Sequence, residues 1–139
     1  MTRSISQRRI GWVAASTALA WLGFSIHNIA DLPGQTLLSP ETSLPTLVTF
    51  VLFLAWWRFP FARVTTWLLL GWGLLNLIGG GLSVVPLPIL PFYPEQTVRH
   101  YLFHVLYAAT QLPLIGLLWA ELRQSRERLA TKTMTSRQR

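Results

Sequence analysis

The sequence predicts an all-α integral membrane protein, a bundle of four transmembrane helices with both termini in the cytoplasm. Hydrophobic residues make up 51% of the 139 residues and charged residues only 12%, about half the charged share of ordinary soluble domains. The apolar residues fall into four segments. At about 1.5 Å per residue, a helix of roughly 20 apolar residues crosses a hydrocarbon core of about 30 Å. The basic residues cluster on one side of the predicted membrane, which indicates the orientation.

The first predicted helix covers residues 10–30 and follows a basic cytoplasmic N-terminus at residues 1–9. Pro33 and Gly34 come directly after it, and this pair is typical of a helix end. Ala18 and Ala20 imitate a signal-peptide cleavage site, but apolar residues continue well past them. An uncleaved transmembrane helix is therefore the favoured interpretation.

The second and third predicted helices cover residues 44–61 and 64–85. Ser43 is a plausible N-cap of the second helix, whose middle has only weakly polar side chains, so we expect it to face lipid most. The third helix carries five glycines around a single Asn76. Small residues let helix backbones approach closely in membranes, so this helix is predicted to pack tightly against a neighbour or to line a small cavity.

The fourth predicted helix covers residues 94–122, with Pro113 expected to kink it. The connection before it, residues 86–94, is apolar but contains four prolines, which favours an extended segment along the outer membrane surface. Residues 10–122 thus form one transmembrane domain. Residues 123–139 are predicted to be a basic, partly disordered cytoplasmic tail.

Eleven of the twelve basic residues flank the predicted helices on one side, and only Arg99 lies on the other. The positive-inside rule therefore predicts a multi-pass cell-membrane protein with cytoplasmic termini. Basic residues beside a bilayer favour anionic lipid head groups as partners, and no nucleic acid is expected. A larger membrane complex or a homo-oligomer remains open. The chain has no cysteine, which excludes disulfides and thiolate metal sites.

Polar side chains fall on one face of three predicted helices and should converge, because lipid offers them no hydrogen bonds. His27 and Asp31 are four residues apart at the outer end of the first helix, and His100 and His104 are four apart at the outer end of the fourth. All three histidines of the chain should therefore lie at one membrane depth. The side chains predicted to hydrogen-bond between helices are Asn28, Asn76, Tyr107 and Gln111.

Three functions fit this pattern. The leading hypothesis is a non-enzymatic membrane subunit or binding module, with an outward-facing polar pocket between helices 1, 3 and 4. The second is a membrane-embedded metal-dependent enzyme of the hydrolase type, with zinc held by His27, Asp31, His100 and His104. The third is an electron-transfer subunit that binds haem b, through His27 and either His104 or His100, or a quinone.

The distance between His27 and His104 separates these hypotheses from simple helix packing. Direct ligands lie about 2 Å from a metal ion. Imidazoles more than about 10 Å apart would therefore exclude both the metal and the haem.

Overall fold

The computed structural model describes residues 2–59, 62–86 and 95–137, and every regular element in this part of the chain is helical. Side chains are described for residues 7–59, 62–86 and 95–127. Four α-helices follow one another, and a five-residue π-helical turn extends the third. The elements are α1 (Thr2–Asp31), α2 (Pro40–Arg58), α3 (Arg63–Asn76), the π turn (Leu77–Gly81) and α4 (Val98–Arg137).

The four helices form a ring in which α1 packs on α2, α2 on α3, α3 on α4, and α4 on α1. Contacts across the ring show that neighbours are antiparallel. Trp21 of α1 donates to Thr46 of α2 over 3.0 Å. Asn28, seven residues further along α1, donates to Thr42, which lies four residues earlier in α2. The chain therefore runs up, down, up and down. We call the end where α1 finishes and α4 begins the histidine end, and the opposite one the terminal end.

Three helical stretches are long and apolar enough to cross a membrane: Gln7–Asp31, Arg63–Gly81 and Val98–Glu127. The sequence predicts four such helices, and α2 is not among these three. In α2, polar and charged residues interrupt the apolar sequence: Glu41 and Arg58 lie near its ends, and the threonines lie at 42, 46 and 49. Large apolar side chains cover the outside of the bundle, as on α4, where Leu102 and Val105 are each 63% exposed. Such a surface suits lipid tails.

The third helix departs from the continuous α-helix predicted over residues 64–85. It is α-helical only to Asn76, and Leu77–Gly81 forms the π turn. Gly80 and Gly81 in this turn let α4 lie against bare backbone. A Cβ added to Gly80 would stand 2.2 Å from the Tyr107 ring, and one added to Gly81 would stand 2.9 Å from Cβ of Ala108.

Helix boundaries differ from the predicted ones at several ends. The first helix begins at Thr2 and the second at Pro40, earlier than residues 10 and 44. The fourth begins at Val98 and continues through Pro113 to Arg137, beyond the predicted end at residue 122, because no helix breaker follows. The proline-rich connection falls mainly on residues 87–94, which lie outside the described residues, as do 60 and 61.

Apolar packing is concentrated toward the terminal end. Trp56, Leu69, Leu70 and Leu118 are completely buried there, in one cluster contributed by α2, α3 and α4, with Val13 of α1 joining them. Burial of such side chains contributes about 1.5–3 kcal/mol each where the alternative is water. In a bilayer their role is close packing.

The contact between α1 and α4 yields a testable prediction. A Cβ at Gly23 would stand 1.9 Å from Oγ1 of the buried Thr110. We expect Gly23→Ala to push the two helices apart and to lower the free energy of unfolding by about 1–3 kcal/mol. The measurement is reversible unfolding in mixed micelles, followed by circular dichroism.

The matched control is Gly11→Ala on the same helix, where an added Cβ meets nothing within 4 Å. It should leave the stability unchanged or raise it slightly, because alanine favours helix over glycine. Equal effects of the two substitutions would contradict the close approach of α1 and α4.

Candidate metal centre

The three histidines of the chain meet at the histidine end of the bundle. His27 comes from α1, and His100 and His104 come from successive turns of α4. Nε2 of His104 lies 3.1 Å from Nε2 of His27 and 3.1 Å from Nε2 of His100. All three residues are buried, and their candidate ligand atoms lie within 4.8 Å of one another. Residues separated by 77 positions in the sequence thus share one small volume.

The position of the proton on His27 follows from the contacts of Asn28. The amide nitrogen of Asn28 donates to the Glu41 carbonyl over 3.1 Å and to Thr42 Oγ1 over 3.2 Å. This identifies the other amide atom as oxygen, which can only accept. Nδ1–H of His27 therefore donates to it over 3.1 Å, and Nε2 of the neutral ring carries a lone pair.

His104 is oriented by the π turn. Its Nδ1 lies 2.8 Å from the Gly80 carbonyl oxygen and 3.3 Å from that of Gly81. Carbonyl oxygens only accept hydrogen bonds, so Nδ1 of His104 must be the protonated nitrogen. Nε2 of His104 is thus free to bind a cation, just as Nε2 of His27 is.

His100 is held in the same way by Asp31. Nδ1–H of His100 donates to Oδ2 of Asp31, whose side chain is only 4% exposed. Arg99 Nε lies 4.0 Å from the other carboxylate oxygen, and the Arg99 guanidinium also donates to the Ala30 carbonyl. The carboxylate therefore lies on the Nδ1 side of His100. Its Oδ2 atom also lies 3.9 Å from Nε2 of His27, so the Asp31 carboxylate contacts one imidazole and is close to a second. The prediction that Asp31 is a metal ligand stays a prediction.

With all three rings neutral, three nitrogen lone pairs face one another. Such an arrangement is repulsive unless a proton or a metal cation lies between the nitrogens. Zinc–nitrogen bonds of about 2.0–2.1 Å at tetrahedral angles place two ligand nitrogens about 3.3 Å apart, close to the 3.1 Å between Nε2 of His104 and each of the other two Nε2 atoms. Histidine ligands of metals almost always donate their second ring N–H to a carboxylate or a carbonyl, and all three imidazoles here donate to oxygen.

The same geometry does not fit haem. A haem held by two histidines needs one on each face of a flat macrocycle, so its ligands must stand apart with room between their rings. The ring centroids of His27 and His104 are only 4.5 Å apart, and so are those of His100 and His104. No plate of porphyrin size can enter between them. The site fits a single ion.

The remaining predicted polar residues also lie between helices. The hydroxyl of Tyr107 donates to Asn76 Oδ1 over 2.6 Å and links α4 to α3, while the amide of Gln111 donates to the Ala20 carbonyl over 3.0 Å and links α4 to α1. Asn76 and Tyr107, together with His27 and His104, line a cavity of about 420 Å³ beside the histidines.

Sequence reasoning missed the contribution of α2 to this region. Its threonines at 42, 46 and 49 recur at helical spacing and face the bundle, where they accept hydrogen bonds from Asn28, Trp21 and Trp72. The signal was this i, i+4, i+7 spacing. The sequence also did not identify the carbonyls of Gly80 and Gly81 as acceptors for His104, because every residue has a backbone carbonyl.

Comparison with known proteins returns no match for this chain, whether against protein-family models, curated proteins or solved structures. Its function must therefore be argued from the site itself.

The network around Asn28 yields a second prediction. Asn28→Leu removes one acceptor and two donors, leaving the His27 Nδ1–H without a partner, so we expect a loss of about 1–3 kcal/mol in the free energy of unfolding. Gln7→Leu, an exposed amide-to-leucine change on the same helix, is the control and should have little effect. Chemical unfolding in detergent measures both. Equal stabilities of the two variants would contradict the role given to Asn28.

Proposed function

We propose that this protein is a four-helix integral membrane protein that binds one transition metal ion, with Zn²⁺ as the first candidate, at a site formed by His27, His100 and His104. The observation that carries the proposal is the convergence of three Nε2 atoms whose partner Nδ1–H groups all have acceptors. Among first-row metals, imidazole suits zinc, copper, iron and nickel, and a chain without cysteine offers no thiolate to compete. The protein acts as a metal-binding module.

Helix packing alone explains this arrangement poorly. Polar groups that merely hold helices together pair donors with acceptors, as Tyr107 and Asn76 do. The three histidines instead turn their Nε2 atoms toward one another. Their Nδ1–H groups donate to Asn28, Asp31 and the Gly80 carbonyl. Buried polar atoms without a partner are costly in an apolar environment, so this arrangement favours a bound cation.

The proposal includes α2 as a fourth membrane crossing and places the metal near the outer surface. α2 lies between α1 and α3 in the ring, and its 19 residues extend about 28 Å, enough to cross the apolar layer. Arg9, Arg58, Arg63 and Arg123 are at the terminal end, whereas Arg99 is at the histidine end. The positive-inside rule then assigns the terminal end to the cytoplasm, where anionic lipid head groups can contact it.

Metal binding is tested with protein purified in detergent, stripped with a chelator and reloaded. We expect one zinc ion per chain by elemental analysis, and no retained zinc in His104→Ala. Zinc at about 100 times its dissociation constant should raise the free energy of unfolding by about 2.7 kcal/mol.

The control is Val105→Ala, the adjacent residue on α4, which faces away from the site and is 63% exposed. It should bind zinc as the unaltered protein does, and circular dichroism checks that each variant is folded. Wild-type protein that retains no zinc, copper, nickel or cobalt would refute the proposed function. So would a folded His104→Ala variant with undiminished binding.

The membrane arrangement is tested by cysteine labelling, for which a chain without native cysteine is well suited. Leu37→Cys and Arg58→Cys place one thiol before and one after α2, both at exposed positions. With a membrane-impermeant maleimide, we expect Leu37→Cys to react in intact cells and Arg58→Cys to react only after permeabilisation. Labelling of both in intact cells would show that α2 does not cross the membrane.

A further inference from the structure

We infer that the bound metal ion keeps an open coordination position facing the cavity that residues of all four helices line. We infer also that this position takes a small exchangeable ligand that is neutral or singly negative. The inference rests on the proposed metal site and adds a second binding function to it. Three histidines leave a tetrahedral zinc ion with one position unfilled by protein, the pattern of sites that bind water or substrate.

The direction of the open position follows from which histidines reach the cavity. His27 and His104 are part of its wall, whereas His100 is not among the residues that line it. His100 is instead backed by Asp31, which closes that side of the site. An ion held by the three nitrogens is therefore approached past His27 and His104.

The cavity is larger than a bound water requires. Its volume is about 420 Å³, whereas one water occupies about 30 Å³ in the liquid. Gly79 forms part of its wall, and an added Cβ there would meet only Leu75, at 3.9 Å, so the space beside it is clear. A ligand of several heavy atoms can therefore reach the ion.

The wall offers hydrogen bonds to such a ligand. Asn76 Nδ2 donates one proton to the Trp72 carbonyl over 2.8 Å, which leaves its second amide proton for a ligand. The Tyr107 hydroxyl donates to Asn76, so its oxygen keeps a lone pair that can accept. Both side chains line the cavity. The ligand is thus one that both coordinates metal and forms hydrogen bonds.

Charge limits the class of ligand further. Among the described residues that line the cavity there is no lysine or arginine, and Glu41 adds a negative charge at its edge. Attraction of an anion must come from the metal ion itself, the largest local charge once it is bound. A phosphate ester or other multiply charged anion would find no second cation. A small monoanion or a neutral oxygen or nitrogen donor fits.

The test uses the full chain in detergent, loaded with Co²⁺ as a visible substitute for zinc and titrated with azide, a small monoanion. We expect saturable changes in the Co²⁺ absorption bands while the ion stays bound. Leu75→Trp enlarges a side chain of the cavity wall that is 59% exposed. It should weaken azide binding by about tenfold or more. It should leave Co²⁺ affinity unchanged, because Leu75 lies outside the π turn that orients His104.

Leu68→Trp is the matched control, because Leu68 is also an exposed leucine of α3, lies seven residues before Leu75 and does not line the cavity. It should bind azide as the unaltered protein does. Bound Co²⁺ whose spectrum does not change with azide, or Co²⁺ that azide removes from the protein, would overturn the open position and leave the metal site intact. Equal azide affinity in Leu75→Trp and Leu68→Trp would overturn the cavity as the route. Failure of Co²⁺ to bind would refute the metal site itself.

Discussion

The hydrogen bond from His104 to the π turn is the interaction on which the candidate site depends. In the proposed membrane setting, a polar group within the apolar layer has no water available and must find its partner in the protein. Carbonyls of an ordinary α-helix accept hydrogen bonds from their own helix, whereas the π turn at Leu77–Gly81 offers the carbonyls of Gly80 and Gly81 to the imidazole. Gly80 also lets Tyr107 lie against the turn. One local distortion thus sets the ring orientation and the helix spacing together.

The bundle divides into two halves of different character. At the terminal end, apolar side chains such as Trp56 and Leu118 fill the interior completely. At the histidine end, helices are joined by directed contacts such as those of Asn28 with α2. The packed half positions the helices, and the polar half uses that framework to hold the three imidazoles close together. Binding an ion to such a preorganised set of ligands costs little further ordering.

Much of this arrangement could be predicted from the sequence, because the apolar segments set the depth of each residue. That logic places His27 and His104 at one level although they are 77 positions apart, and the structure brings them into contact. The rest depends on information that a residue pattern lacks. Only coordinates show that Asp31 lies against Nδ1 of His100 and 3.9 Å from Nε2 of His27. The π turn is a change in backbone hydrogen bonding that no side-chain pattern predicts. The side chains that α2 turns toward the interior are threonines, which are too weakly polar to distinguish it from a helix that faces lipid.

The proposed metal site has only nitrogen ligands, and this affects its resistance to oxidation. Thiolate sites lose their metal when oxidants convert cysteine to disulfides or sulfenic acids. Imidazole undergoes neither reaction, and this chain contains no cysteine to interfere. The proposed centre of His27, His100 and His104 would therefore tolerate oxidising conditions, in which free thiols do not persist.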